Sequence, residues 1–147
     1  MPNFTHCLNI VGRCTQMQRG QELKALGVGG GQVPYLLRLC RNPGLRQEEL
    51  ARGLYVNKST AARAIANLEK AGLVERRPSE EDRRCHLLYP TQKTLEALPE
   101  IRAIVHGWND YLLEEFTEEE KEALVNMMAR VSKRAQAFIQ REGAWDE

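Results

Sequence analysis

Apolar positions recur at helical spacing along most of the chain, and glycine, proline and asparagine punctuate the pattern into six predicted helices and one hairpin. Residues 3 to about 26 carry Phe4, Leu8 and Val11 on one side, with Leu23 and Leu26 further on. The run "GVGGG" at 27–31 ends this helix, because glycine closes helices and opens tight turns. A second helix is predicted over 32–41, stopped by Asn42-Pro43-Gly44. Pro34 belongs in its first turn, where a missing N–H costs no helical bond. A third, short helix covers 46–53. After the brief turn "LYV", Asn57 is a suitable N-cap for a fourth helix running from Lys58 to about Ala71, with Gly72 closing it.

Residues 73–77 and 85–89 read as two strands joined by the polar segment "PSEEDRR", with Leu87 and Tyr89 alternating weakly against His86 and Leu88. A fifth helix is expected from Thr91 to about Glu115. Its stripe is Leu95, Leu98, Ile101, Val105, Trp108 and Leu112, at steps of three and four. Pro99 falls within it and predicts a kink. A sixth helix starts after Thr117, where Thr117 and Glu120 form a capping box, and carries Leu124, Met128, Val131, Ala135 and Phe138 on one face. The fold class is therefore mainly α with a small β-hairpin. A single domain spans 1–147, with a lobe at 32–90 flanked by long helices in 1–26 and 91–147. Those terminal helices carry more apolar surface than a small lobe can cover, and they are predicted to pack against a second copy as a homodimer.

Composition adds little until charge is divided along the chain. At 147 residues, 42% hydrophobic and 28% charged, the protein has the make-up of a globular domain that folds without disulfides or metal. No apolar run approaches the roughly 18 residues of a membrane span, and the N-terminus has no basic stretch leading into an apolar core. A cytoplasmic protein is expected. The net charge is only +1, yet residues 1–90 hold 14 Lys/Arg against 8 Asp/Glu and residues 91–147 hold 7 against 12. A basic front half points to a polyanionic partner.

The third and fourth helices together make a helix-turn-helix, a short helix, a tight turn and a longer helix. In the fourth helix Ala61, Ile65 and Leu68 are spaced to face inward. Lys58, Ser59, Ala62, Arg63, Ala66, Asn67 and Lys70 share the outward faces. Small residues at 62 and 66 let the helix lie deep in a major groove about 12 Å wide. Ser59, Thr60 and Lys58 are candidates for phosphate contacts beside the positive end of the helix. Arg63 and Asn67 are candidates for base edges, since arginine matches guanine and asparagine matches adenine. Arg76, Arg77, Arg83 and Arg84 cluster on the hairpin that follows, and a ribbon with arginine at its tip reaches an adjacent minor groove. Taken singly, the helix could be a solvated polar face, and the hairpin one in which Glu80, Glu81 and Asp82 offset the arginines. Helix and hairpin in this order form a winged helix-turn-helix.

The stretch "QEELARGLYVNKSTAARAIANLEKAGLVERRPSEEDRRCHLLY" resembles the core of the MarR family of bacterial transcription regulators. The resemblance is carried by Leu50-Ala51, Asn57-Lys58-Ser59-Thr60, Leu68-Glu69-Lys70-Ala71-Gly72-Leu73 and Asp82-Arg83-Arg84. It implies a homodimer whose recognition helices enter successive major grooves of a palindromic operator in double-stranded DNA. It further implies a wing-tip arginine at Arg84 and an aspartate orienting the wing at Asp82. The family's usual Ser/Thr cap on the third helix is Arg46 here. Its usual Leu-Thr-x-x-Gly after the wing is replaced within Tyr89-Pro90-Thr91-Gln92-Lys93-Thr94. The implied activity is sequence-specific repression relieved by a small-molecule effector.

Relatives that sense oxidation carry a cysteine near the start of the first helix, where this chain has Cys7 and Cys14. Seven residues place these thiols on one face but roughly 10 Å apart along the axis, too far for a bridge within one helix. Two alternatives accordingly stand beside the effector-controlled repressor. One is thiol-based sensing through Cys7 or Cys14, against their being small buried hydrophobes. The other is a winged-helix module for protein contacts that has lost DNA binding, against which four wing arginines argue. No cofactor or metal is expected, because His6-Cys7 and Cys85-His86 are adjacent pairs whose side chains point apart. No P-loop, nucleophile elbow or paired-histidine motif points to an enzyme.

Overall fold

The computed structural model describes residues 1–142, so residues 143–147 of the predicted C-terminal segment lie outside the described residues. Along the chain come α1 (Phe4–Glu22), a single 3₁₀ turn (Lys24–Leu26), α2 (Val33–Arg41), α3 (Gln47–Leu54), α4 (Lys58–Lys70), β1 (Val74–Pro78), β2 (His86–Pro90), α5 (Gln92–Leu112) and α6 (Glu118–Glu142). The expected first helix ends early. Leu23 leaves helical geometry with φ −107°, ψ 13°, and Gly27 closes the 3₁₀ turn at φ 77°. That break lets Leu23 and Val28 both enter the core.

The core is built from Val33, Leu36 and Leu39 of α2, Leu50 of α3, Ile65 and Leu68 of α4, Leu73, Leu88 of β2 and Ile101 of α5. Helix α4 turns Ala61, Ala64, Ile65 and Leu68 inward, as its spacing requires. Strands β1 and β2 pair antiparallel, with Val74 opposite Pro90 and Pro78 opposite His86. Leu88 has a second partner: it accepts from Gly44 N–H at 2.8 Å and donates to the Leu45 carbonyl at 2.8 Å. This bridge ties the hairpin to the turn between α2 and α3, and no sequence period marks it. Leu88 rather than Leu87 or Tyr89 is the β2 side chain in the core.

Helix α5 departs from the expected stripe at its start. Leu95 is 44% exposed whereas Thr94, one residue earlier, is 0% exposed. The cause is polar: the Thr94 hydroxyl donates to the Leu73 carbonyl at 2.6 Å, which sets the rotation of the first turn. Pro99 lies inside α5 without ending it.

The chain falls into two compact units, Met1–Val105 and His106–Glu147. Within the second, Trp108 and Tyr111 stack with centroids 5.5 Å apart. The α6 capping box forms as expected, with Thr117 N–H donating to Glu120 Oε2 at 3.0 Å and Glu120 N–H to Thr117 Oγ1 at 3.1 Å. Helix α1 buries none of its residues, and α6 leaves Val125, Met127 and Phe138 exposed. No helix among the described residues is long and apolar enough to cross a membrane.

Candidate nucleic-acid interface

The turn between α3 and α4 is tight because Tyr55 adopts the left-handed conformation at φ 57°. Its N–H bonds the Arg52 carbonyl at 3.2 Å, and Val56 N–H bonds Ala51 at 3.1 Å. Asn57 then caps α4: its Oδ1 accepts Thr60 N–H at 2.8 Å and the Ser59 hydroxyl at 3.0 Å. Thr60, half-buried, therefore spends its amide on the cap, and Ser59 must turn its proton away from Asn57 to reach a phosphate oxygen. At the far end Gly72, at φ 75°, takes the left-handed step that a side chain disfavours.

Between these ends, Lys58, Ser59, Arg63, Ala66, Asn67 and Lys70 are exposed and Ala62 is half-buried. The side chains of Arg63 and Asn67 have no hydrogen-bond or ionic partner among the described residues. Lys58 also lines a groove of about 350 Å³ between α3 and α4, together with Gln47, Glu48 and Arg76.

The hairpin arginines divide into two kinds. Arg76 is committed to the protein: its Nε donates to Glu69 Oε1 of α4 at 2.7 Å and its Nη2 to Gln47 Oε1 of α3 at 2.8 Å. Register explains this, since Arg76 stands opposite Leu88 and shares the lobe-facing side of β1 with Val74. Arg77, on the other face, pairs with Glu75 and lies over the Tyr89 ring at 4.3 Å. Arg83 and Arg84 sit in the connecting loop and are exposed, the Arg84 side chain at 95%. Asp82 shapes that loop. Its Oδ1 accepts Arg84 N–H at 3.0 Å, and its main-chain carbonyl accepts Cys85 N–H at 2.9 Å. The Arg84 guanidinium, 3.7 Å from Asp82, is too exposed to be held there. Ser79 closes the neck: its N–H donates to the Cys85 carbonyl at 2.8 Å and its hydroxyl accepts Glu81 N–H at 3.3 Å.

Sequence reasoning missed Gln47, Glu69 and Ser79. A signal existed for Glu69 only, because strand alternation puts Arg76 on the side that faces α4. Cys7 and Cys14 are exposed on α1, and neither thiol has a hydrogen-bond partner among the described residues. Burial pushes the Cys40 thiol up, with Arg102 pulling partly against it.

A family model described as the MarR family matches residues 26–84. The chain is 35% identical over 126 residues to the HTH-type transcriptional regulator YybA of Bacillus subtilis, covering 86% of this chain and 84% of that one. It is 31% identical to the transcriptional repressor MprA of Escherichia coli, covering 82% and 73%. A MarR family transcriptional regulator from Listeria monocytogenes, crystallised with a 26mer DNA, superposes with a TM-score of 0.85 at 30% identity, covering 97% of each chain.

Proposed function

The chain belongs to the MarR family of transcription regulators, and from that premise we propose that it represses transcription as a homodimer bound to a palindromic operator. Residues 32–90 form the DNA-binding lobe in this reading, and the helices before and after it serve dimerisation. Helix α4 enters the major groove. Arg63 and Asn67 read base edges, while Lys58, Ser59 and Thr60 hold phosphates. Arg83 and Arg84 reach the neighbouring minor groove from a loop set by Asp82. Arg76 contributes by fastening the wing to α3 and α4.

The observation that carries the reading is the contrast in commitment on one surface. Arg76 is tied inward to two helices, whereas Arg63 and Asn67 stand exposed on α4 without partners among the described residues. The DNA-bound Listeria relative and the repressor MprA support the partner and the sign of regulation. Release by a small-molecule effector is the mode of control we adopt.

Fluorescence anisotropy with duplex DNA from upstream of the protein's own gene, titrated with salt and repeated with peroxide, tests this. Expected are tight binding that falls steeply with salt, as counterion release requires, and a cost of about 1–3 kcal/mol for Arg63→Ala on the preferred sequence. Absence of binding to that duplex and to a random duplex library would favour the protein-contact module. Loss of binding on oxidation, reversed by reductant and absent in Cys7→Ser or Cys14→Ser, would move control to the thiols.

A further inference from the structure

Thr94 is a fully buried polar residue at 0% exposure, and it lies away from the DNA-facing surface. Its hydroxyl donates to the Leu73 carbonyl at 2.6 Å. Two neighbours reach the carbonyls just before it: the hydroxyl of Thr91, the residue preceding α5, donates to Gly72 at 2.6 Å, and Lys93 Nζ in the first turn of α5 donates to Ala71 at 2.9 Å. Three consecutive carbonyls, starting one residue after the end of α4, are thus held by three side chains at the start of α5, Thr91 just before the helix and Lys93 and Thr94 in its first turn. A single bond between two helices leaves a pivot. Attachment at three successive residues sets a direction.

The buried member is the one that water cannot replace. The Thr91 and Lys93 bonds are exposed, so solvent competes for them. The Thr94 bond is not needed to satisfy its acceptor either, because Leu73 O already receives Thr91 N–H at 3.1 Å. A valine would fill the same volume and leave no orphaned carbonyl. A hydroxyl at this place therefore adds direction where packing and hydrogen-bond accounting do not require it.

We propose that Thr94 is a positioning residue for DNA recognition, its hydroxyl orienting α4 against α5 and so setting how Arg63 and Asn67 meet base edges. The proposal rests on the assignment of α4 as the reading helix. Thr94→Val and Thr94→Ser test it on the full-length protein, using a duplex selected from a random library by the wild type and a scrambled duplex of equal length. Thr94→Val is expected to lower the ratio of selected to scrambled affinity roughly five- to tenfold, part of one base contact. Its salt slope should not change, because no phosphate contact is lost. Thr94→Ser should restore the ratio.

A valine variant that keeps the wild-type ratio overturns the proposal, and so does a serine variant that loses as much as valine. Amide exchange without DNA separates this from failure of the α4 assignment. Thr94→Val should speed exchange at Ala71, Gly72 and Leu73 relative to Thr94→Ser, with the global unfolding midpoint little moved. Unchanged local exchange sinks the positioning role whatever DNA does. A wild type that selects no sequence yet shows the exchange difference would fault the reading helix instead.

Discussion

Side-chain direction on β1 decides what each hairpin arginine does, and it separates what sequence could say from what it could not. Arginines at 76, 77, 83 and 84 announce a basic ribbon, but a count has no faces. Pairing Arg76 with Leu88 and Arg77 with Leu87 puts the first toward α3 and α4 and the second toward Tyr89. Gln47 lies 29 residues from Arg76, a separation that no local pattern spans. Arg63 and Asn67 were legible for the opposite reason. Once Asn57 fixes the start of α4, the helical period alone puts them outside. A salt titration distinguishes the two kinds of arginine. Arg84→Ala should lower the salt slope by about one and weaken binding most on duplexes with a narrow, A·T-rich minor groove beside the half-site. Arg76→Ala should leave the slope alone while loosening the wing. Exposed pairs of this sort contribute only about 0.2–1 kcal/mol to stability, so its melting temperature should shift little. A salt slope reduced as far by Arg76→Ala as by Arg84→Ala would put Arg76 among the wing residues that contact DNA.

Helices and hairpin were readable because their ends carry specific chemistry: Asn57 and Thr117 as caps, Gly72 as a left-handed stop, Pro34 in a first turn. The α5 stripe holds at Leu98, Ile101 and Val105 and fails at its first member, Leu95. Its inward set is Thr94, Ala97, Leu98, Ile101, Ile104 and Val105, a regular helical face whose first member is polar, so an apolar search begins instead at Leu95. The loop between α1 and α2 hides a different constraint. A Cβ on Gly30 would sit 1.8 Å from the Gln16 carbonyl oxygen, a backbone atom of α1 that cannot swing aside. Sequence shows "GVGGG" as a stop but not which glycine bears the contact. Gly30→Ala is expected to lower stability by at least the 1–3 kcal/mol typical (roughly) of overpacking, read as a fall in denaturant midpoint. Gly29→Ala meets the Gln32 side-chain amide at 3.3–3.4 Å, a side chain and not backbone, and should cost less. Equal midpoints for the two variants would mean that α1 and this loop are not packed as described.

At the scale of the molecule, the apolar surface left uncovered is the feature a single chain does not explain. Phe4, Leu8, Ile10, Val11 and Met17 of α1, and Val125, Met127 and Phe138 of α6, are all exposed. Each helix by itself thus offers an apolar face for the proposed dimer to cover. Charge along α6 adds a direction to the pairing. Glu118, Glu119, Glu120 and Glu122 lie at its start, and Arg130, Lys133, Arg134 and Arg141 lie in its second half. In the proposed dimer a twofold axis perpendicular to α6 would run the two copies antiparallel, so that the acidic end of each meets the basic half of the other; a twofold axis along α6 would make them parallel and set like against like. Light scattering should accordingly give twice the 16.8 kDa chain mass, and Phe138→Glu should shift it toward monomer while weakening operator binding, since one half-site is then engaged at a time. Charge reversal tests the direction itself. Glu119→Lys with Glu122→Lys spares the capping box and the Lys121–Glu118 pair, and Arg130→Glu with Arg134→Glu reverses the other half. Each variant alone should dimerise more weakly than wild type, and an equimolar mixture should recover dimers that contain one of each. If both variants dimerise as tightly alone as together, the two α6 helices do not meet antiparallel, and the dimer must be held by apolar contacts with no say from the charges.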